Sequence, residues 1–102
     1  MAEVRVIAKF VARKGRENQL RSLMQSMLAP TRAEAGCKLY ELYESDTKGR
    51  FFYYERWASQ AALDQHIATP HFRQLKETGA ELVAEPFEIN ILSEIPSSAV
   101  AA

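Results

Sequence analysis

The chain has 102 residues, 47% of them apolar, with 13 basic and 13 acidic side chains. That length predicts one domain with room for a core, and the charge balance argues against nucleic-acid or membrane-surface partners, which select a basic face. No apolar run approaches the roughly 20 residues that span a bilayer, and two histidines with one cysteine are too few and too scattered for a zinc site.

The opening MAEVRV reads directly as a strand, with no signal-peptide pattern. Over residues 3–12, Val4, Val6, Ala8 and Phe10 alternate with Glu3, Arg5, Ile7 and Lys9, the pattern of a half-buried strand closed by Gly15. From Arg16 to Ala35, Leu20, Leu23, Met24, Met27 and Leu28 follow the spacing of one helical face. Pro30 interrupts the hydrogen-bond ladder and predicts a kink or a restart. Gly36 fits a left-handed stop beyond the helix end. Cys37, the single cysteine, excludes an internal disulfide, packs as a small apolar residue and favours a reducing cytoplasmic location.

Residues 37–45, CKLYELYES, and 50–57, RFFYYERW, form a hairpin around DTKG. If Gly49 makes a bulge, Asp46 opposes Arg50, Tyr43 faces Tyr53, Glu41 faces Glu55 and Leu39 faces Trp57. This register is favoured. A two-residue loop would shift the pairing by one and bring Tyr40 beside Glu55, so the choice exchanges Tyr43 for Tyr40 on the face of interest. Ser59 then caps a helix with Ala62, Leu63, His66 and Ile67 on one face. Thr69 and Pro70 start another helix, with apolar positions Phe72, Leu75, Leu82 and Val83, and Gly79 invites a split in its middle. Pro86 opens a last strand, FEINILSEI, and residues 97–102 read as a disordered tail behind a domain over 1–96.

Strand, helix, strand, strand, helix, strand is the α+β, ferredoxin-like split βαβ arrangement. Its helices cover one face of the sheet. The other face is also apolar, and a second copy is the simplest cover, which predicts a twofold homodimer.

Period two places Phe51, Tyr53, Glu55 and Trp57 on one sheet face. The following helix, folding back across the third strand, brings His66 near Glu55 and Trp57. A carboxylate and an imidazole there could hold and move one proton, between flat aromatic walls. The plainer alternatives are Trp57 and the tyrosines as core, Glu55 tied to an arginine, and His66 as a structural histidine. His71 sits in the first turn of a helix, where the positive dipole end favours the neutral imidazole, and serves either as a surface group or at a pocket mouth.

The segments PTRAEAGCKLYELYESD and FFYYERWASQAALDQHIATPHF, with the block E-x-W-x-S-x-x-A-L-x-x-H-x-x-x-P-H-F from Glu55 to Phe72, resemble the antibiotic biosynthesis monooxygenase superfamily, especially its small quinol-monooxygenase-like members. The resemblance implies a dimeric α+β barrel with a pocket between sheet and helices in each subunit. It implies oxidation of a quinol or polycyclic phenol by O₂ without metal, flavin or haem. Carried over by position, Glu55, Trp57 and His66 are the catalytic candidates and His71 a substrate-binding one. Tyr53 and Tyr43, or Tyr40 in the shifted register, join the substrate-binding candidates on geometry alone, with Phe72 at the end of the block. The first strand lacks the asparagine of haem-degrading relatives. Relatives that isomerise phosphorylated signals need a cationic anion site, for which Lys9, Lys38 and Arg56 are available; a non-catalytic binding or stress-response protein is the remaining alternative.

Overall fold

A computed structural model of the protein describes residues 2–97, so Met1 and residues 98–102 of the expected tail lie outside the described residues. The elements in chain order are β1 (Val4–Val11), α1 (Glu17–Ser26), α2 (Leu28–Arg32), β2 (Cys37–Glu44), β3 (Arg50–Trp57), α3 (Gln60–Ile67), α4 (Pro70–Leu82) and β4 (Glu88–Leu92). The strands pair antiparallel in the order β2-β3-β1-β4, with the two strands that lead into α1 and α3 at the centre. This is the ferredoxin-like order that the sequence predicts. The sheet of one chain is open, not closed into a barrel.

The helix expected over 16–35 breaks at Met27, three residues before Pro30. A proline at 30 has no N–H to offer the carbonyl of Ser26 and its ring would strike that carbonyl. The chain therefore ends α1 at Ser26 and restarts, with Pro30 in the first turn of α2 where its missing donor costs nothing. Ser59 and Thr69 cap α3 and α4 as predicted, their hydroxyls accepting from the N–H of Ala62 at 3.2 Å and of Phe72 at 3.1 Å. Helix α4 runs through Gly79 without splitting. Gly79 is buried there, and a Cβ on it would stand 3.2 Å from the Phe87 ring, so its use is close packing of α4 against the chain entering β4.

The favoured hairpin register is overturned. Tyr40 pairs with Glu55, Leu42 with Tyr53 and Tyr43 with Phe52, the alternative shifted by one. The loop is closed by Ser45 N–H to Arg50 O at 2.9 Å and Arg50 N–H to Thr47 O at 3.2 Å, and Gly49 takes the left-handed conformation at φ 84°. Side-chain energetics decide the outcome. The other register would set Glu41 opposite Glu55 on the helix-covered face, two like charges directly opposed and both desolvated. The observed one puts Tyr40 and Leu42 there instead. A bulge between Cys37 and Leu39 lets Cys37 still face Trp57.

The core lies between the helices and one sheet face. It contains Val6, Ala8 and Phe10 of β1, Tyr40 of β2, Phe51, Tyr53 and Trp57 of β3, Leu20 and Met24 of α1, Met27 at the break, and Leu63, Leu75 and Leu82 of α3 and α4.

Gly36 is not left-handed; the positive φ angles belong to Gly15 and Gly49. Its constraint is steric, because a Cβ on Gly36 would stand 2.3 Å from the Ala62 Cβ. That close approach docks α3 beside the start of β2, where Ala58 N–H bonds Gly36 O at 2.9 Å. Gly36→Ala is expected to destabilise the fold by roughly 1–3 kcal/mol through overpacking. Adding Ala62→Gly should return most of that loss, as measured by urea denaturation of the two variants.

Candidate active site

Three segments meet at one carboxylate oxygen. Glu34 sits in the tight turn after α2, its backbone held on both sides by Glu34 N–H to Thr31 O and Cys37 N–H to Glu34 O, each 3.0 Å. Its Oε2 lies 2.8 Å from His66 Nδ1 and 2.7 Å from His71 Nε2. His66 closes the last turn of α3 and His71 stands in the first turn of α4. Thr69 sets the distance between them, donating its N–H and its hydroxyl to the His66 carbonyl at 3.1 and 2.7 Å. With a carboxylate at its Nδ1, the neutral His66 ring carries its proton there and leaves the Nε2 lone pair free.

The sequence singles out Glu55 as the partner of His66, and the geometry corrects this. Glu55 Oε1 accepts from the Trp57 indole N–H at 2.9 Å, two residues along the same strand face, and is tied to no arginine. Glu55 is 4% exposed, and burial pushes its carboxyl up to about 7. The indole N–H opposes that rise and the Glu34 carboxylate adds to it. His66 is 2% exposed; burial holds its imidazole below the ordinary value, Glu34 opposes, and His71 lowers it further. Burial therefore favours the neutral ring, the form that can accept a proton. Burial, with Glu34 and Glu55 nearby, raises the Cys37 thiol, so this cysteine is no activated nucleophile.

Trp57 and Tyr40 surround the imidazole. The Trp57 ring is 4.5 Å from His66 and tilted 33°, and Tyr40 stands edge-on at 5.7 Å. Tyr40 stacks on Tyr53 at 4.6 Å, and the Tyr53 hydroxyl donates to Met24 O at 2.7 Å. Burial raises both phenols, so neither ionises near neutrality. Phe72 lies edge-on to His66 at 5.2 Å. Tyr43 is corrected out of the site. The observed register turns it to the opposite sheet face, where it is 53% exposed and donates to Glu41. Of the proposed anion-binding cations, Lys9 pairs with Glu88, and Lys38 and Arg56 both pair with Glu3.

An apolar cavity of about 360 Å³ opens between α4 and strands β1 and β4, walled by Phe10, Phe72, Leu75, Pro86, Phe87 and Ile89 with Lys76 at its edge. A more open groove of about 480 Å³ continues past Phe87 toward Arg13 and Glu85. Neither is lined by Glu55, Trp57 or His66. Phe72 is the link, touching the imidazole and walling the cavity.

Glu34 is absent from the residues the sequence singles out, although it lies inside the segment that carries the resemblance. Its one local signal is an acid in a turn just before a glycine and a strand, and that signal is shared with many solvated turns.

A ferredoxin-like sheet with a carboxylate-held imidazole at the junction of its last two helices places the chain among small α+β proteins of the ferredoxin-like class. The chain belongs to the antibiotic biosynthesis monooxygenase family, whose model matches residues 3–78. It is 39% identical over 92 residues to the Mycobacterium tuberculosis protein named "Putative monooxygenase Rv0793", covering 90% of this chain and 91% of that one. The solved structure of Rv0793 superposes with a TM-score of 0.89, covering 95% of this chain and 99% of that one. The crystal structure of PA3566 from Pseudomonas aeruginosa, 29% identical, gives 0.87 over 94% and 97%.

The raised Glu55 carboxyl has a measurable sign. The folded chain keeps this proton up to about pH 7, whereas a free carboxyl loses it near 4.5. Its contribution to stability is complete below pH 4.5 and is lost as pH rises through about 7. Glu55→Gln keeps an acceptor for Trp57 and cannot ionise. Denaturation of both proteins at about pH 4 and about pH 8.5 should show the variant gaining roughly 3 kcal/mol relative to the parent across that range. Parallel pH curves would mean an ordinary carboxylate.

Proposed function

We propose that the protein is a monooxygenase that oxidises a quinol or a related electron-rich phenol with O₂. Membership of the family and the name of the Mycobacterium tuberculosis relative support a monooxygenase-type activity. The observation that carries the substrate class is the buried His66 held through Nδ1 by Glu34, its ring packed beside Trp57 and Phe72. An imidazole fixed in that tautomer is a base for a hydroxyl proton. Glu34 orients the ring and stabilises the imidazolium that forms, as a carboxylate behind a histidine does.

The quinol enters the apolar cavity, and the Phe72 ring swings aside to admit its hydroxyl to Nε2. Loss of that proton leaves an electron-rich anion that reduces O₂ directly. One oxygen atom enters the ring and the other leaves as water, with all four electrons coming from the quinol. Trp57, Tyr40 and Phe72 supply flat apolar walls, and the surrounding dryness strengthens every charge interaction in the anion's path.

Oxygen uptake with a panel of hydroquinones is the test. His66→Ala is expected to lower kcat by about 10²–10⁴-fold, and Glu34→Gln by a smaller factor with KM little changed. Full activity in His66→Ala would remove the base assignment, and turnover under strict anaerobiosis would point to an isomerase.

The sheet face away from the helices carries Ile7, Leu39, Phe52, Tyr54 and Leu92. We propose that a second copy covers it, closing two open sheets into a barrel. Sedimentation of the intact chain should give the mass of a dimer, and Phe52→Asp should shift it to that of one chain. A single-chain mass for the unaltered protein would remove the barrel.

A further inference from the structure

We propose that Glu34, His66 and His71 form a binding site for a divalent transition-metal ion of the zinc or cobalt kind, and that its occupation switches His66 off as a base. Metal binding stands on geometry alone, and only the switching rests on the role given to His66 above.

The three ligand atoms, Glu34 Oε2, His66 Nδ1 and His71 Nε2, all lie within 4.8 Å of one another. Two imidazole nitrogens and one carboxylate oxygen are the borderline donor set that zinc, cobalt(II) and iron(II) accept, with positions left for water or a substrate oxygen. The donors come from three different segments, and each is held without an ion. Glu34 is pinned through its backbone, His66 is packed against the tilted Trp57 ring, and His71 is placed by the Thr69 cap. A site whose parts are already ordered costs little entropy to assemble.

The fit needs one adjustment. Bonds of about 2.0–2.2 Å in a tetrahedral arrangement hold neighbouring ligand atoms about 3.3 Å apart, whereas the observed contacts are 2.8 and 2.7 Å. Those two contacts must each open by about half an ångström. His66, at 2% side-chain exposure, is the fixed point, while Glu34 at 15% and His71 at 23% reach the surface and can give way. The same partial exposure provides the entry path. Counting histidines and cysteines alone argues against a metal; the carboxylate that completes the set is the residue such a count omits.

The switch follows from tautomerism. In the metal-free arrangement Nδ1 of His66 carries the proton and Nε2 the lone pair. An ion bound at Nδ1 takes that lone-pair position, so the proton of the neutral ring moves to Nε2. No proton is gained or lost, but Nε2 changes from acceptor to donor and can no longer take a hydroxyl proton.

The intact chain, stripped with a chelator and dialysed, would be titrated with Zn(II) and separately with Co(II) by calorimetry and visible absorption. One ion per chain is expected, with cobalt bands of a nitrogen-ligated site of low coordination number. His71→Ala and Glu34→Gln, both at partly exposed positions, should each weaken binding by at least about tenfold. In nitrogen-15 spectra, His66 Nε2 should change from unprotonated to protonated on zinc saturation. Parent-like affinity in both variants, or no saturable binding, would overturn the site; an Nε2 that stays unprotonated with zinc bound would overturn the switch. These readouts do not involve turnover, so loss of the oxygenase reading would leave the metal result standing, and the reverse.

Discussion

One carboxylate oxygen between two imidazoles holds the end of α2, the end of α3 and the start of α4 at a single point. Without Glu34, His66 would be a buried ring with no defined proton position, and α3 and α4 would meet only through Thr69 and the packing of Phe72 on the imidazole. A buried ring with a free choice of tautomer presents the wrong nitrogen for part of its population. The Glu34 contact removes that choice, and so links the packing of the helix junction to whatever chemistry occurs there.

The second constraint is desolvation, and it separates the two glutamates. Glu34 keeps some contact with solvent and two donors on one oxygen, whereas Glu55 is 4% exposed with one indole N–H. A neutral carboxylic acid is the form such surroundings favour. Keeping it there costs about 3 kcal/mol against an exposed carboxyl at high pH. Full burial of Tyr53 and Trp57 on either side contributes about 2–3 kcal/mol each. The strand therefore tolerates an acid in its buried row because the aromatic neighbours outweigh it.

The apolar cavity and the imidazole are adjacent but not continuous, and Phe72 separates them. In the proposed reaction this division keeps water from His66 until a flat substrate displaces the Phe72 ring. It also explains why residues far apart in the chain, from Phe10 to Ile89, enclose the cavity. They converge because β1 and β4 are neighbours and α4 lies across them.

Alternation along β1 and β3, the caps at Ser59 and Thr69, and the break demanded by Pro30 are local consequences of residue type, and they determine the element order and the ferredoxin-like fold. Family resemblance in the block from Glu55 to Phe72 likewise points to His66, Trp57 and Phe72 before any coordinate is known. The hairpin register is not local, because turn chemistry at DTKG permits two pairings, and only desolvation of Glu41 against Glu55 across the finished core chooses between them. Gly36 and Gly79 read as backbone devices yet serve as close-approach points for Ala62 and Phe87. The partner of His66 is Glu34, 32 residues away in sequence, and no periodicity connects a turn to a helix end. Sequence thus determined which surfaces are apolar and which elements form. Which polar groups face one another was decided by tertiary packing alone, because a hydrogen bond depends on distances that exist only once every layer is in place.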